Sequence, residues 1–271
     1  DLIGSDAEAI EIGRAAGIPV KIAHEKAAGR RNFGRMKQII AMIEQARAEG
    51  REVVTDQYPY DGAAVSPLEG IIVVPGAPEL SSKRFNSADG TNAFLHSIQS
   101  VLRDPSRSAG IADATAHGIN GGFSWVKAVG YGAMRVVVSK DYPDLVGENL
   151  EVLAQKRGQD PYAMLTQLIL NGKSSTIVTL GAVDEPEVRE LMVEPWNMIC
   201  SDGGYVADGH GTFNHPRSTG TFTRVIGHYS RDLGLFPLTE AVRKMTSLPA
   251  DFLHLSDRGR IAVGKAADIA M

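Results

Sequence analysis

Apolar positions along this 271-residue chain switch between two spacings. Ala9, Ile10, Ile12, Ala15 and Ala16 mark one face of a helix that Ser5 or Asp6 can cap and Gly17 can stop. Ile18-Pro-Val-Lys-Ile-Ala-His24 follows as a buried-strand run and delivers His24, Glu25 and Lys26 at its C-terminal end. Met36, Ile39, Ile40, Ile43 and Ala46 then recur at helical spacing across Met36 to Ala48, and Gly50 ends that helix. Glu52 to Tyr60 is a second strand that stops on Tyr58-Pro-Tyr60. Strand, helix, strand in this order predicts a right-handed βαβ unit of a parallel sheet or barrel.

From Asp61 to about Asp144 glycine, proline and serine recur without a clean period. A helix over Asn86 to Leu102 and a short strand over Met134 to Ser139 are the elements predicted there. So long an excursion between core elements implies an inserted lid or subdomain. Helices resume at about Gly147 to Arg157 and at Asp160 to Leu170, the second opened by Asp160-Pro161 as cap and first-turn proline. Thr176 to Leu180 is a strand, Asp184 to Val193 a helix with acids in its first turn, and Asn197-Met-Ile-Cys200 a short apolar strand. That strand ends on Ser201-Asp202-Gly203-Gly204, a turn carrying a carboxylate where parallel α/β folds gather catalytic groups. Helices over Leu238 to Met245 and Pro249 to Leu255 precede a tail that turns through glycines toward a further strand.

Composition changes this picture little. At 43% hydrophobic the chain can bury a sizeable core, and 28 Lys plus Arg against 32 Asp plus Glu give a net charge of −4 with both signs interleaved. No basic block points to nucleic acid or to a membrane surface. There is no charged-then-apolar leader and no apolar run of spanning length. The single cysteine, Cys200, excludes an intrachain disulfide framework and fits a reducing, cytoplasmic compartment; on its strand it reads as a small apolar core residue. The chain begins at Asp1 without a methionine and stops as a strand starts, so a fragment of a longer protein is expected.

Three strand ends carry chemistry: His24 with Lys26, Tyr58 with Tyr60, and Asp202 followed by Arg217. In a parallel barrel all would open onto one face. An imidazole and a carboxylate suit a divalent metal such as zinc, but a catalytic zinc takes three protein ligands. The carboxylate could equally be a general base toward water. Lys26 and Arg217 suit an anionic substrate group, with the Tyr58 hydroxyl adding a hydrogen bond. Each has a plainer reading: Asp202 as an Asx turn, His24 as a hydrogen-bonded strand-end residue, Lys26 as a solvated charge, Tyr58-Pro-Tyr60 as packing. His210, His215 and His228 cluster near Asp202 without a helical ligand spacing, so metal binding by them is not expected. His96, His117 and His254 have no partner legible in the sequence.

These blocks occur together in a known family. Ala23-His-Glu-Lys-Ala-Ala-Gly-Arg-Arg-Asn-Phe-Gly-Arg, Asp56-Gln-Tyr-Pro-Tyr, Ser201-Asp-Gly, His215-Pro-Arg, Gly220-Thr-Phe-Thr-Arg-Val-Ile-Gly and Asp257-Arg-Gly-Arg-Ile resemble, in order, the C-terminal part of the N-acyl-D-amino-acid deacylases (D-aminoacylases) of the amidohydrolase superfamily. The agreement is weakest over 61–144. The resemblance implies an α/β fold in which the chain forms part of a (β/α)₈ TIM-like barrel of the metal-dependent hydrolase type with an inserted lid. Residues 1–60 would hold the sixth and seventh strand units, 61–144 the lid, 145–260 the barrel remainder with the eighth strand, and 261–271 the start of a return to a small β-domain.

By the same resemblance His24 matches a metal-ligand histidine, and Asp202 the general base and acid that also ligates a second, weaker metal beside the tight zinc site. Lys26, Tyr58 and Arg217 match the groups that hold the substrate α-carboxylate. The expected activity is zinc-dependent hydrolysis of N-acyl-D-amino acids. Two departures stand out: the family's His-x-His, its metal-binding cysteine and its fifth-strand histidine are absent, and Glu25 and Ala64 stand about where relatives carry a second histidine and a serine. The chain alone is therefore expected to be inactive and to pair with the N-terminal part of the same protein or with a second copy. The alternatives are another amidohydrolase, such as a D-aminoacyl dipeptidase or cyclic amidase, or a non-catalytic fragment lacking most metal ligands.

Overall fold

The structure, a computed structural model, describes residues 2–77, 80, 88–204 and 215–269. In chain order its strands are β1 (Val20–Ile22), β2 (Val53–Gln57), β3 (Gly62–Pro67), β4 (Met134–Val138), β5 (Ile177–Gly181) and β6 (Asn197–Ile199). Its helices are α1 (Leu2–Ala16), α2 (Met36–Ala48), α3 (Ala88–Leu102), α4 (Ser108–His117), α5 (Trp125–Val129), α6 (Leu150–Lys156), α7 (Pro161–Asn171), α8 (Glu185–Met192), α9 (Arg217–Arg224), α10 (Leu238–Met245) and α11 (Ser247–Phe252). Beyond Arg224 the helix continues as a wider π-helix over Val225–Asp232. No helix among the described residues is long and apolar enough to cross a membrane.

The expected βαβ unit is present. Strands β1, β2 and β6 form a parallel sheet in the order β1-β2-β6, with Val20 beside Val53 and Thr55 beside Asn197. Helix α2 occupies the range its periodicity predicts, and Gly50 beyond it takes φ +83°, which only glycine adopts freely. Its Met36, Ile39, Ile43 and Ala46 are buried with Ile10, Val53, Leu191 and Trp196 between helices and sheet. Each such aliphatic side chain contributes about 1.5–3 kcal/mol when fully buried. Helix α1 starts earlier than expected, at Leu2, so Ser5 and Asp6 lie inside it and do not cap it.

Strand β6 is only three residues long, and polar side chains hold it in place. The Thr55 hydroxyl donates to Asn197 Oδ1 at 2.7 Å, Asn197 Nδ2 donates to Gln57 Oε1 at 2.7 Å, and Gln57 Nε2 donates to the Val188 carbonyl at 3.0 Å. The fully buried Lys244 of α10 donates to the carbonyls of Glu194 and, at 3.1 Å, Asn197, and burial pushes its ammonium down to about 8. A buried network with every member paired fixes register better than three residues of ladder can.

The described part of 61–144 contains more regular structure than its composition suggests. Strand β3, absent from the sequence reading, joins β5 and β4 in an antiparallel sheet of order β3-β5-β4. Strand β5 therefore lies outside the parallel sheet, and its Val178 and Leu180 share a core with Ile71, Leu95, Ile98, Met134, Val136, Leu150, Leu165 and Leu168. A third cluster, with Val188, Met192, Ile199, Val225, Tyr229 and Ala241, seats α8, the π-helix and α10 against the end of β6. The strand expected in the tail does not form among the described residues: Ile261 and Val263 are 90% and 106% exposed. Alternating apolar residues make a strand only beside a partner edge, and none of the described strands pairs there.

Candidate active site

The parallel strands end on the groups singled out in the sequence. After β1 the chain turns sharply at His24, whose φ of +43° lies in the left-handed region that is costly for a residue with a Cβ. Asp56, 6% exposed on the central strand, over-determines that turn: its Oδ1 accepts the His24 N–H at 2.5 Å while its carbonyl accepts the Glu25 N–H at 2.8 Å. The other carboxylate oxygen of Asp56 pairs with the Lys21 ammonium. A buried charge persists where it is paired and hydrogen-bonded, and Asp56 is both. The sequence reading missed it; the signal was an acid inside the apolar run Val53-Val54-Thr55-Asp56.

Lys26 curls back over this turn, its ammonium reaching the His24 carbonyl and standing 2.9 Å from His24 Nδ1. Burial lowers its pKa, while the nearby Glu25 and Asp202 carboxylates act the other way. Glu25 is itself buried, accepts the Lys26 N–H at 2.8 Å, and is pushed up to about 8 by burial and by the Asp6 carboxylate.

Tyr58, one residue past β2, is the buried floor between two cations. The Lys26 ammonium lies 5.2 Å from its ring centroid and the Arg217 guanidinium 4.6 Å, within cation–π range. Burial raises the phenol pKa, so the hydroxyl is kept as a donor. Beside them lies a cavity of about 10 Å³ that reaches into the core, lined by Glu25, Lys26 and Tyr58 and by Met36, Val188 and Leu191.

Asp202, three residues past β6, repeats the backbone device of His24 with φ +44°. Its Oδ2 lies 3.0 Å from Arg217 Nη2. The approach depends on Gly203, where a Cβ would stand 2.6 Å from the Ser218 Cα in the first turn of α9. Cys200, just before, is half-buried, and burial with the adjacent Asp56 carboxylate pushes its thiol up to about 12, which leaves it inert.

His215 sits behind Arg217, 7% exposed, with Nε2 2.8 Å from the Gly62 carbonyl and Nδ1 accepting the Arg217 N–H at 3.1 Å. Burial and the Arg217 charge hold its pKa below the ordinary value. His210 falls outside the described residues. His117, without a partner in the sequence reading, pairs with Asp113 at 2.9 Å on an exposed helix face.

The structure thus places His24, Lys26, Tyr58 and Asp202 at the C-terminal ends of three parallel strands, with Arg217 reaching Tyr58 and Asp202 from the start of α9. His24 and Asp202 offer the nitrogen and oxygen donors that suit zinc. They do not complete a site: among the described residues no group of three or more His, Cys, Asp or Glu side chains is placed to hold a metal ion.

Known proteins resemble this chain in sequence and fold. A model of the amidohydrolase family matches residues 146–271. The chain is 31% identical over 264 residues to a D-aminoacylase of Alcaligenes xylosoxydans xylosoxydans and 30% identical to an N-acyl-D-glutamate deacylase of that organism. Each match covers 97% of this chain and 41% of the relative, so the chain spans about two fifths of those proteins. Among solved structures it is similar to a D-aminoacylase with a binuclear metal centre, at TM-score 0.58 and 31% identity over 97% of this chain and 41% of that one. It is also similar to an N-acyl-D-glutamate deacylase from Bordetella bronchiseptica complexed with zinc and a phosphonate mimic of the tetrahedral intermediate, at TM-score 0.59 and 26% identity over 98% and 42% of the two chains. These matches make the chain similar to the amidohydrolases. Within them the similarity is to the D-aminoacylases and N-acyl-D-amino-acid deacylases.

Proposed function

We propose that the protein containing this chain hydrolyses the amide bond of N-acyl-D-amino acids. The observation that carries this reading is the convergence of Lys26, Tyr58 and Arg217 beside Asp202: two cations and a hydroxyl donor around one aromatic floor, next to a carboxylate. Such a trio suits the α-carboxylate of an amino acid, with Arg217 providing a fork, Lys26 a point charge and Tyr58 a neutral donor. An anion held there brings the amide bond of the same molecule toward Asp202.

The fold reading that accompanies it is a partial (β/α)₈ barrel, with β1, β2 and β6 as its sixth, seventh and eighth strands and the antiparallel unit as a lid over the mouth. His24 and Asp202 would hold zinc with ligands from the part of the relatives' length that this chain does not span, Asp202 also serving a second, weaker site. Zinc supplies Lewis acidity toward the carbonyl and acidifies water. Asp202 takes a proton from the attacking water as the C–O bond forms and passes it to the amine nitrogen as the C–N bond breaks, releasing a carboxylate and a D-amino acid. Buried Tyr58 and the cations fix the substrate for that transfer and keep its carboxylate out of bulk water.

Asp202→Asn keeps the shape of the side chain and removes its basicity. In the complete protein it is expected to lower kcat for N-acetyl-D-amino acids by about 10²–10⁴-fold, the range for loss of a positioned proton-transfer group. Unchanged hydrolysis by the variant would show that the acid has another role.

A further inference from the structure

We propose that His215 is a positioning residue that seats Arg217 for the substrate carboxylate by accepting the Arg217 backbone N–H at the start of α9, with the ring held in place by its bond to the start of β3. The proposal rests on the reading of Arg217 given above. The ring has one hydrogen bond of each kind: Nδ1 accepts the Arg217 N–H at 3.1 Å, which leaves Nε2 as the donor to the Gly62 carbonyl at 2.8 Å. One acceptor and one donor describe the neutral imidazole in a single tautomer; imidazolium has two donors and cannot accept from Arg217. The His215 carbonyl also accepts the Ser218 N–H at 3.0 Å, so one residue holds two N–H groups of the first turn of α9.

Packing fixes the ring as tightly as its hydrogen bonds do. Its centroid lies 6.1 Å from that of Tyr58 and 5.5 Å from that of Tyr60, the latter edge-on. A Cβ on Gly62 would stand 3.1 Å from Nε2, so glycine there lets the β3 backbone come within hydrogen-bond reach of the ring. The Tyr58–Tyr60 turn, the first residue of β3 and the first residue of α9 thus share one side chain. Arg217 is that first residue of α9, and its guanidinium reaches Tyr58 and Asp202 from a backbone position that His215 determines. Small displacements of a group that orients substrate are costly, about 10²-fold for 1 Å.

The test is steady-state hydrolysis of N-acetyl-D-amino acids by the complete protein, with thermal unfolding as the check on folding. His215→Asn can still accept the Arg217 N–H, as asparagine does in an Asx turn. His215→Gln can reach Gly62 but not Arg217, and His215→Phe keeps the ring and loses both bonds. The proposal expects His215→Phe and His215→Gln to raise KM about tenfold, the effect of one lost hydrogen bond, with kcat changed less than about threefold. His215→Asn is expected to stay within about threefold of the unsubstituted KM. Equal KM values for the Asn and Gln variants, or parallel losses of kcat and KM with lowered unfolding temperature, overturn it. Arg217→Met separates the two claims: if it leaves KM unchanged, the carboxylate reading of Arg217 fails, whereas a raised KM there with normal values for the Gln and Phe variants sinks only the role of His215.

Discussion

At the level of single residues, the site is built from side chains in uncomfortable places. His24 and Asp202 both adopt left-handed backbone, at φ +43° and +44°, directly after strands of the same sheet. Each position costs on the order of 1 kcal/mol or more and persists because neighbours hold it: Asp56 for His24, the Arg217 ion pair for Asp202. Buried carboxylic acids are a second unfavourable feature. Glu69 is 1% exposed, with Oε1 hydrogen-bonded to Ser175 and Oε2 unpartnered, and burial pushes it up to about 7 from 4.5. A carboxyl raised in the folded state gives its full stability below the unfolded value and loses it as pH rises through the folded one. For Glu69 the window therefore runs from pH 4.5 to about 7. Glu69→Gln should unfold at a higher temperature than the unsubstituted protein at pH 8 and at nearly the same temperature at pH 4.5, measured by thermal unfolding. A difference independent of pH would assign the effect to packing.

At the level of elements, agreement between pattern and structure follows from how local each element's cause is. Helices α2 and α10 have the limits their apolar spacing indicates, because period and punctuation lie within the segment itself. Helix α7 is equally local: Asp160 accepts the N–H groups of Tyr162 and Ala163 at 2.9 and 3.2 Å, with Pro161 in the first turn. Asp160→Ala should cost about 1 kcal/mol in denaturant unfolding; no loss would mean that the cap is made by water instead. Strand β3 has no such local signal. Gly62-Ala-Ala-Val-Ser-Pro67 contains one strong strand former, and it extends because it pairs with β5 over a hundred residues away. The tail shows the converse, since its alternation of Ile261 and Val263 is suited to a strand but meets no edge among the described residues. Asp6 was read as a cap from its residue type, yet the helix begins before it and buries it.

At the level of the molecule, the grouping of the candidate residues at strand ends was legible because parallel strands deliver their ends to one face. That topological rule gathers His24, Lys26, Tyr58 and Asp202, and the start of α9 adds Arg217, from positions spread over nearly two hundred residues. Asp56 and His215, which position other groups, were not legible as such, because hydrogen bonds to a backbone N–H leave no spacing in the sequence. On the proposed function this face receives one carboxylate beside one proton-transfer acid. The most direct test of that reading compares two substrates in the complete, zinc-loaded protein: an N-acetyl-D-amino acid and the corresponding α-carboxamide, which has the same scissile bond and no charge. The account predicts that kcat/KM for the acid exceeds that for the amide by about 10²-fold or more, as two charge-assisted contacts allow, and that Lys26→Met with Arg217→Met removes the preference. Equal hydrolysis of acid and amide would contradict it.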